Sequence, residues 1–122
     1  MFKHKAALVL ACGMSLAGGV AWGADAGAVA KGGDIYQARC MHCHGPEGDG
    51  KGHLIEFLKV KPANLTQLAR GRSQAYVTDS VLKAVLGRHE AVQGPNRMPL
   101  LKEYLSAEEV YYLSEFLKTK QR

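Results

Sequence analysis

Cys40-Met41-His42-Cys43-His44 is the stretch that decides how the rest of the chain is read. Its two thiols lie about one helical turn apart, and an imidazole follows at once. That spacing lets each thiol add to one vinyl group of a porphyrin, with His44 then beneath the iron as the proximal ligand and His42 standing between the thioethers. Two other chemistries use paired cysteines. A redox dithiol of the C-x-x-C type belongs near a βαβ pattern, of which this chain has no sign, and a structural zinc site needs four ligands where the second pair is missing. The expectation is one covalent haem c on Cys40 and Cys43.

A second axial ligand separates a carrier from a catalyst, because iron held on both sides cannot take a substrate. Met98, in Arg97-Met98-Pro99, is the candidate. It lies in an irregular stretch before the last expected helix, and Pro99 stiffens the chain beside it. Met41 is inside the motif and Met1 and Met14 are in the N-terminal stretch, so Met98 alone is free to act. His53 and His89 are the other candidates, and an open site is the remaining option. A thioether favours ferrous iron and raises the potential. Spanning from His44 to Met98 closes a loop of about 54 residues, at a logarithmic entropy cost of about 3.6 kcal/mol. The proximal imidazole also needs an acceptor for its other N–H. The Pro62 carbonyl is the candidate, against the plainer reading of Pro62 as a turn proline.

Working outward, after a Gly/Ala-rich junction from Gly23 to Gly33 the segment from Asp34 to Cys43 suits a short helix with Asp34 near its start and an apolar face of Ile35, Tyr36, Ala38 and Cys40. Glycines and prolines break residues 45–64 into a long loop, with one helical turn around Ile55 to Leu58. Ser73 is placed to cap a helix to about Leu86, carrying Val77, Val81, Ala84 and Val85 on one face, with Gly87 as its stop. A second irregular stretch runs from Gly87 to Leu101. Ser106-Ala107-Glu108-Glu109 then reads as a capping box for a helix to about Lys118, with Val110, Leu113 and Leu117 inward and Tyr112 and Phe116 alongside. No alternating run suggests a strand, so the layout is all-α with two long irregular segments.

The chain has 122 residues, 47% of them hydrophobic and 22% charged, which suits one domain. Lys3 and Lys5 precede an uncharged apolar stretch, Ala6 to Trp22, ending in small residues. This reads as an export signal over residues 1–23, leaving a domain over 24–122. Two alternatives are an uncleaved anchor, for which the stretch is short and glycine-loosened, and a lipoprotein cut before Cys12, for which the preceding apolar run is too short. Cleavage near Gly23 discards Cys12 and leaves two cysteines and a formal charge of +3 in place of +5. The bases are interleaved with acids, which argues against nucleic acid as a partner.

Taken together, Gly33-x-Ile35-Tyr36 leading into Cys40-x-x-Cys43-His44-Gly45, the glycines through Gly52, Pro62 with Leu65, Arg97-Met98-Pro99 and Phe116-Leu117 resemble the class I c-type cytochromes, in particular the small bacterial periplasmic monohaem type. The resemblance covers residues 33–118. It implies the cytochrome c fold, about four helices around one haem. The first and last helices would cross where Gly33 or its neighbour lets Tyr112 or Phe116 approach. It also implies attachment of haem outside the cytoplasmic membrane, and an exposed haem edge through which electrons pass between a donor and an acceptor protein. The expected function is thus a periplasmic electron carrier without substrate turnover. A haem c subunit of a larger redox complex, membrane-bound ones included, would use the same residues, and an open-site haem enzyme or sensor is the third reading.

Overall fold

The computed structural model describes residues 23–87, 98–99 and 101–122. The expected export signal, apart from Gly23, lies outside these residues, as does most of the second irregular stretch, His89 included. Among the described residues there are four helices, α1 (Ala26–Arg39), α2 (Met41–His44), α3 (Ala75–Leu86) and α4 (Ala107–Thr119), with 3-10 turns at Ile55–Phe57 and Leu65–Gln67. Among the described residues there is no strand, and the fold is all-α as expected.

Helix α1 begins eight residues earlier than the sequence suggested. Asp25, not Asp34, closes its N-terminus, its carboxylate accepting from the amides of Gly27 at 2.9 Å and Ala28 at 3.4 Å. The Gly/Ala stretch that looks like a junction is helical because its small residues let a second helix come close. The buried stripe is Ala28, Gly32, Tyr36 and Cys40, one residue per turn, while Ala38 faces solvent.

That stripe meets α4, against which α1 packs more extensively than against any other element. At Gly32 a Cβ would collide with the backbone carbonyl of Tyr112 and come within 2.8 Å of the Phe116 Cβ. Hydrogen is the only side chain that fits. At Gly33 the nearest atoms are the Phe116 ring carbons at 3.4 Å, an ordinary contact. The crossing therefore rests on Gly32, the neighbour of the glycine named above. The Tyr36 and Phe116 rings lie 5.3 Å apart beside it, and the buried Tyr36 hydroxyl donates to the Gly45 carbonyl at 2.5 Å. Burial raises the pKa of that hydroxyl, so it stays a donor.

Helix α4 is closed by the expected capping box: the Glu109 amide donates to the Ser106 hydroxyl at 3.2 Å, and the Ser106 amide to the Glu109 carboxylate at 2.7 Å. Val110, Leu113 and Leu117 are buried on its inner side. Helix α3 supplies Val77, Val81 and Val85, packs on α4 and ends at Gly87 with φ 76°. Its start differs from expectation. The N-cap is Gln74, without a side-chain bond, and Ser73 offers only its carbonyl, to the Tyr76 amide at 3.0 Å. With the cap unhelped, packing of the valine stripe carries this helix.

Gly32→Ala is expected to lower unfolding stability by about 2–3 kcal/mol through overpacking against backbone, with Gly33→Ala near neutral, as read by urea denaturation. Tyr36→Phe should cost about 1 kcal/mol in the same assay, because the Gly45 carbonyl keeps its second donor, the Gly48 amide at 3.1 Å. Ser106→Ala should cost about 1 kcal/mol. The Ser106 amide and hydroxyl hold the Glu109 carboxyl below the ordinary carboxylate range. A carboxyl so depressed stabilises at neutral pH and loses that contribution as pH falls through its lowered value. The gap between the native chain and Glu109→Gln should accordingly close in acid.

Candidate haem site

Cys40 stands at the junction of α1 and α2, where its amide still donates to the Tyr36 carbonyl at 2.8 Å. The chain then makes one more helical turn, so Cys40, Cys43 and His44 come to one cavity. Three backbone bonds strap that turn in place: the amides of Gly50, Gly52 and Leu54 donate to the carbonyls of His44, Cys43 and His42 at 2.8, 3.1 and 3.0 Å. These carbonyls would otherwise be the unpaired end of a four-residue helix. The returning segment satisfies them and fixes the direction of the side chains they carry.

His44 Nδ1 lies 3.0 Å from the Ala63 carbonyl oxygen. Burial lowers the imidazole pKa and the Ala63 bond raises it in part, so the ring is neutral. A neutral ring that donates from Nδ1 keeps a bare lone pair on Nε2, the form in which imidazole binds a metal. Pro62 does not supply this acceptor, as the sequence had suggested; the next residue does. The reason lies in Gly50, with φ +84°, where a Cβ would stand 2.7 Å from the Pro62 oxygen. The Pro62 carbonyl is turned toward Gly50, which leaves Ala63 to face the ring. Asn64 then closes the turn, accepting from the Thr66 amide at 3.0 Å and its hydroxyl at 2.6 Å.

The cavity has a volume of about 340 Å³, within the size range of small-molecule and cofactor sites. Its walls are apolar: Leu58 and Val60 from the long loop, Val81 and Val85 from α3, Leu101, and Leu113 and Leu117 from α4. Met98 and Pro99 line it too, so the sequence-predicted Cys40, Cys43, His44 and Met98 share one space. Pro62 lines it without bonding His44, and His53 does not line it. Arg39, Lys61 and Arg72 supply its cationic groups. Burial beside Cys43 pushes the Cys40 thiol up to about 12, so it is a neutral thiol. Two thiols, one neutral imidazole, one thioether, greasy walls and a few cations are a donor set that fits haem, with its apolar ring and acidic propionates. Among the described residues no group of three or more His, Cys, Asp or Glu is placed to hold a metal ion.

The sequence missed one further element. Gln121 accepts from the Ala69 amide at 2.8 Å and donates to the Leu65 and Leu117 carbonyls at 2.7 and 2.8 Å, and the Arg122 amide donates to the Thr66 carbonyl at 2.9 Å. This clasp pins the loop that carries Ala63 to the end of α4. A polar residue just past a helix gives no pattern by which to foresee it.

A search of curated proteins finds no match to the chain. Among solved structures, a chain of the reducing HAO-like protein complex of Kuenenia stuttgartiensis is similar, with a TM-score of 0.57 and 23% identity, over 85% of this chain and 48% of that one. At that identity the likeness is one of fold, and this chain spans about half the length of its neighbour. The Cytochrome c family model matches residues 29–121, from the second turn of α1 past the end of α4. With that match laid over the geometry above, the chain belongs to the cytochrome c family, whose members carry electrons on haem.

Proposed function

We propose that this chain is an exported, single-haem electron carrier in which Cys40 and Cys43 form the thioethers, His44 is the proximal ligand and Met98 the distal one. The observation that carries the reading is that these four side chains line one apolar cavity, although Met98 is distant from the others in sequence. When bound, the haem supplies an iron that gains and loses one electron. The chain's residues do the rest. Cys40 and Cys43 would hold the ring, Cys43 from within the strapped segment 42–54 and Cys40 from just before it. His44 is kept neutral by burial and oriented by Ala63, so its Nε2 needs no deprotonation to serve as a ligand. Leu58, Val81, Leu113 and their neighbours keep water away, which limits the reorganisation that accompanies a change of charge. Arg39 and Arg72, which line the cavity, would offset the negative charge of the propionates.

Periplasmic location follows in this proposal from the N-terminal export pattern of residues 1–23. The second reading, a haem c subunit built into a larger redox complex, draws on the structural neighbour being part of a complex. It uses the same site, and size-exclusion chromatography of the native protein separates it from a free carrier.

An absorption spectrum with pyridine haemochrome analysis, on protein made in a host able to attach c-type haem, tests the assignment. One haem c per chain is expected, resistant to extraction by acidic organic solvent; colourless or extractable material would refute it. Met98→Ala should retain helix content but lose the methionine-ligation band in the ferric state, bind carbon monoxide when ferrous and shift to a lower midpoint potential. Because the Met98 bond closes a loop of about 54 residues, at about 3.6 kcal/mol, mild denaturant should remove its band before helix signal is lost. Simultaneous loss of both would overturn that order.

A further inference from the structure

Two histidines of the strap, His42 and His53, take no part in the haem cavity, which neither of them lines. Their rings meet, with centroids 5.0 Å apart and planes at 85°. Main-chain bonds hold the two residues together. The Leu54 amide donates to the His42 carbonyl at 3.0 Å and the Gly52 amide to the Cys43 carbonyl at 3.1 Å, so both chain neighbours of His53 are tied to the thiol-bearing turn. Gly52 permits this approach, because a Cβ there would collide with the His42 carbonyl oxygen. His53 is exposed and His42 half-buried. Neither ring makes a hydrogen bond or ion pair among the described residues, and no side-chain nitrogen there is buried without a partner, so the ring nitrogens reach solvent.

We propose that His42 and His53 together form a two-imidazole site for a divalent transition cation of borderline softness, the class of Zn²⁺, Cu²⁺ and Ni²⁺. Imidazole suits these ions, whereas Mg²⁺ and Ca²⁺ take oxygen ligands. The spacing agrees: with Zn–N bonds of about 2.0–2.1 Å and tetrahedral angles, two imidazoles on one ion stand with ring centres about 5 Å apart. A plain edge-to-face ring contact has the same spacing, so binding is what separates the two. No third His, Cys, Asp or Glu joins the pair among the described residues. Water then fills the remaining positions, and the ion is exchangeable rather than structural. The main-chain bonds order both residues in advance, which lowers the cost of bringing two ligands to one ion. The site itself stands independently of the electron-carrier reading, and its consequence rests on that reading. His42 lies between Cys40 and Cys43 in the chain, so a cation held there adds positive charge close to the thioether-forming residues. That charge favours ferrous iron, and by reciprocity reduction tightens the cation's binding by the same factor.

Titration of the ferric holoprotein with Zn²⁺ alone, followed by calorimetry in a non-chelating buffer, tests the site. One Zn²⁺ per chain is expected to bind, undisturbed by excess Mg²⁺. His53→Gln, at an exposed position outside the thiol motif, should weaken binding at least about tenfold, and His42→Gln by as much. The double variant should lose no more than either single one, since neither ring holds the ion well without the other. Saturating Zn²⁺ should raise the midpoint potential of the native protein and leave that of His53→Gln where it was, with the haem spectrum the same in both. Equal zinc binding by native protein and His53→Gln, or no binding at all, overturns the site and leaves a plain ring contact. Zinc binding lost in His89→Gln but kept in His53→Gln overturns it in favour of another histidine. A colourless native protein that still binds zinc less tightly after His53→Gln fails the haem assignment and upholds the site, whereas a pigmented protein indifferent to zinc fails this proposal alone.

Discussion

The site depends on a strap of three backbone hydrogen bonds. A helix of four residues cannot hold itself, since every one of its carbonyls lies in its last turn. Here the carbonyls of His42, Cys43 and His44 are taken up by amides returning from Gly50, Gly52 and Leu54. The turn that carries Cys43 and His44 is therefore fixed by main-chain bonds, while Cys40 is held by its place in the packed core. Everything else in the cradle is built on that fixed edge: the Ala63 carbonyl that sets the ring, the loop that delivers it, and the apolar walls of α3 and α4 that complete the cavity.

Elements with a short-range signature were legible in the sequence. The motif at residues 40–44, the capping box at Ser106 and Glu109 and the valine and leucine stripes of α3 and α4 all declare themselves within one or two turns. What escaped was decided at a distance. The start of α1 looked like a junction because glycine reads as a helix breaker, but Gly32 is there for Tyr112 and Phe116, 80 or more residues away. The acceptor for His44 was misplaced by one residue because the orientation of the Pro62 carbonyl depends on where Gly50 sits. Ser73 satisfied the local rule for a cap and was not used, since tertiary packing of Val77, Val81 and Val85 already holds the helix.

The fold also divides its electrostatic work. Inside, burial shifts three titratable groups toward the uncharged form, the Cys40 thiol, the His44 imidazole and the Tyr36 hydroxyl. Outside, lysines and arginines are arranged over aromatic faces, Lys31 on Tyr112, Arg39 near Tyr104, Arg72 on Tyr76 and Lys120 on Phe116. Such stacking covers apolar surface without removing the charge from water.

The strap and the crossing at Gly32 differ in how far apart their partners lie along the chain. Residues 42–54 close on themselves within a dozen positions, which costs little loop entropy, whereas α1 and α4 must find each other across nearly the whole domain. Assembly then has a natural order. The thiol-bearing turn can take shape while the chain is still open, and the late meeting of the two long helices shuts the door behind whatever has been fastened there.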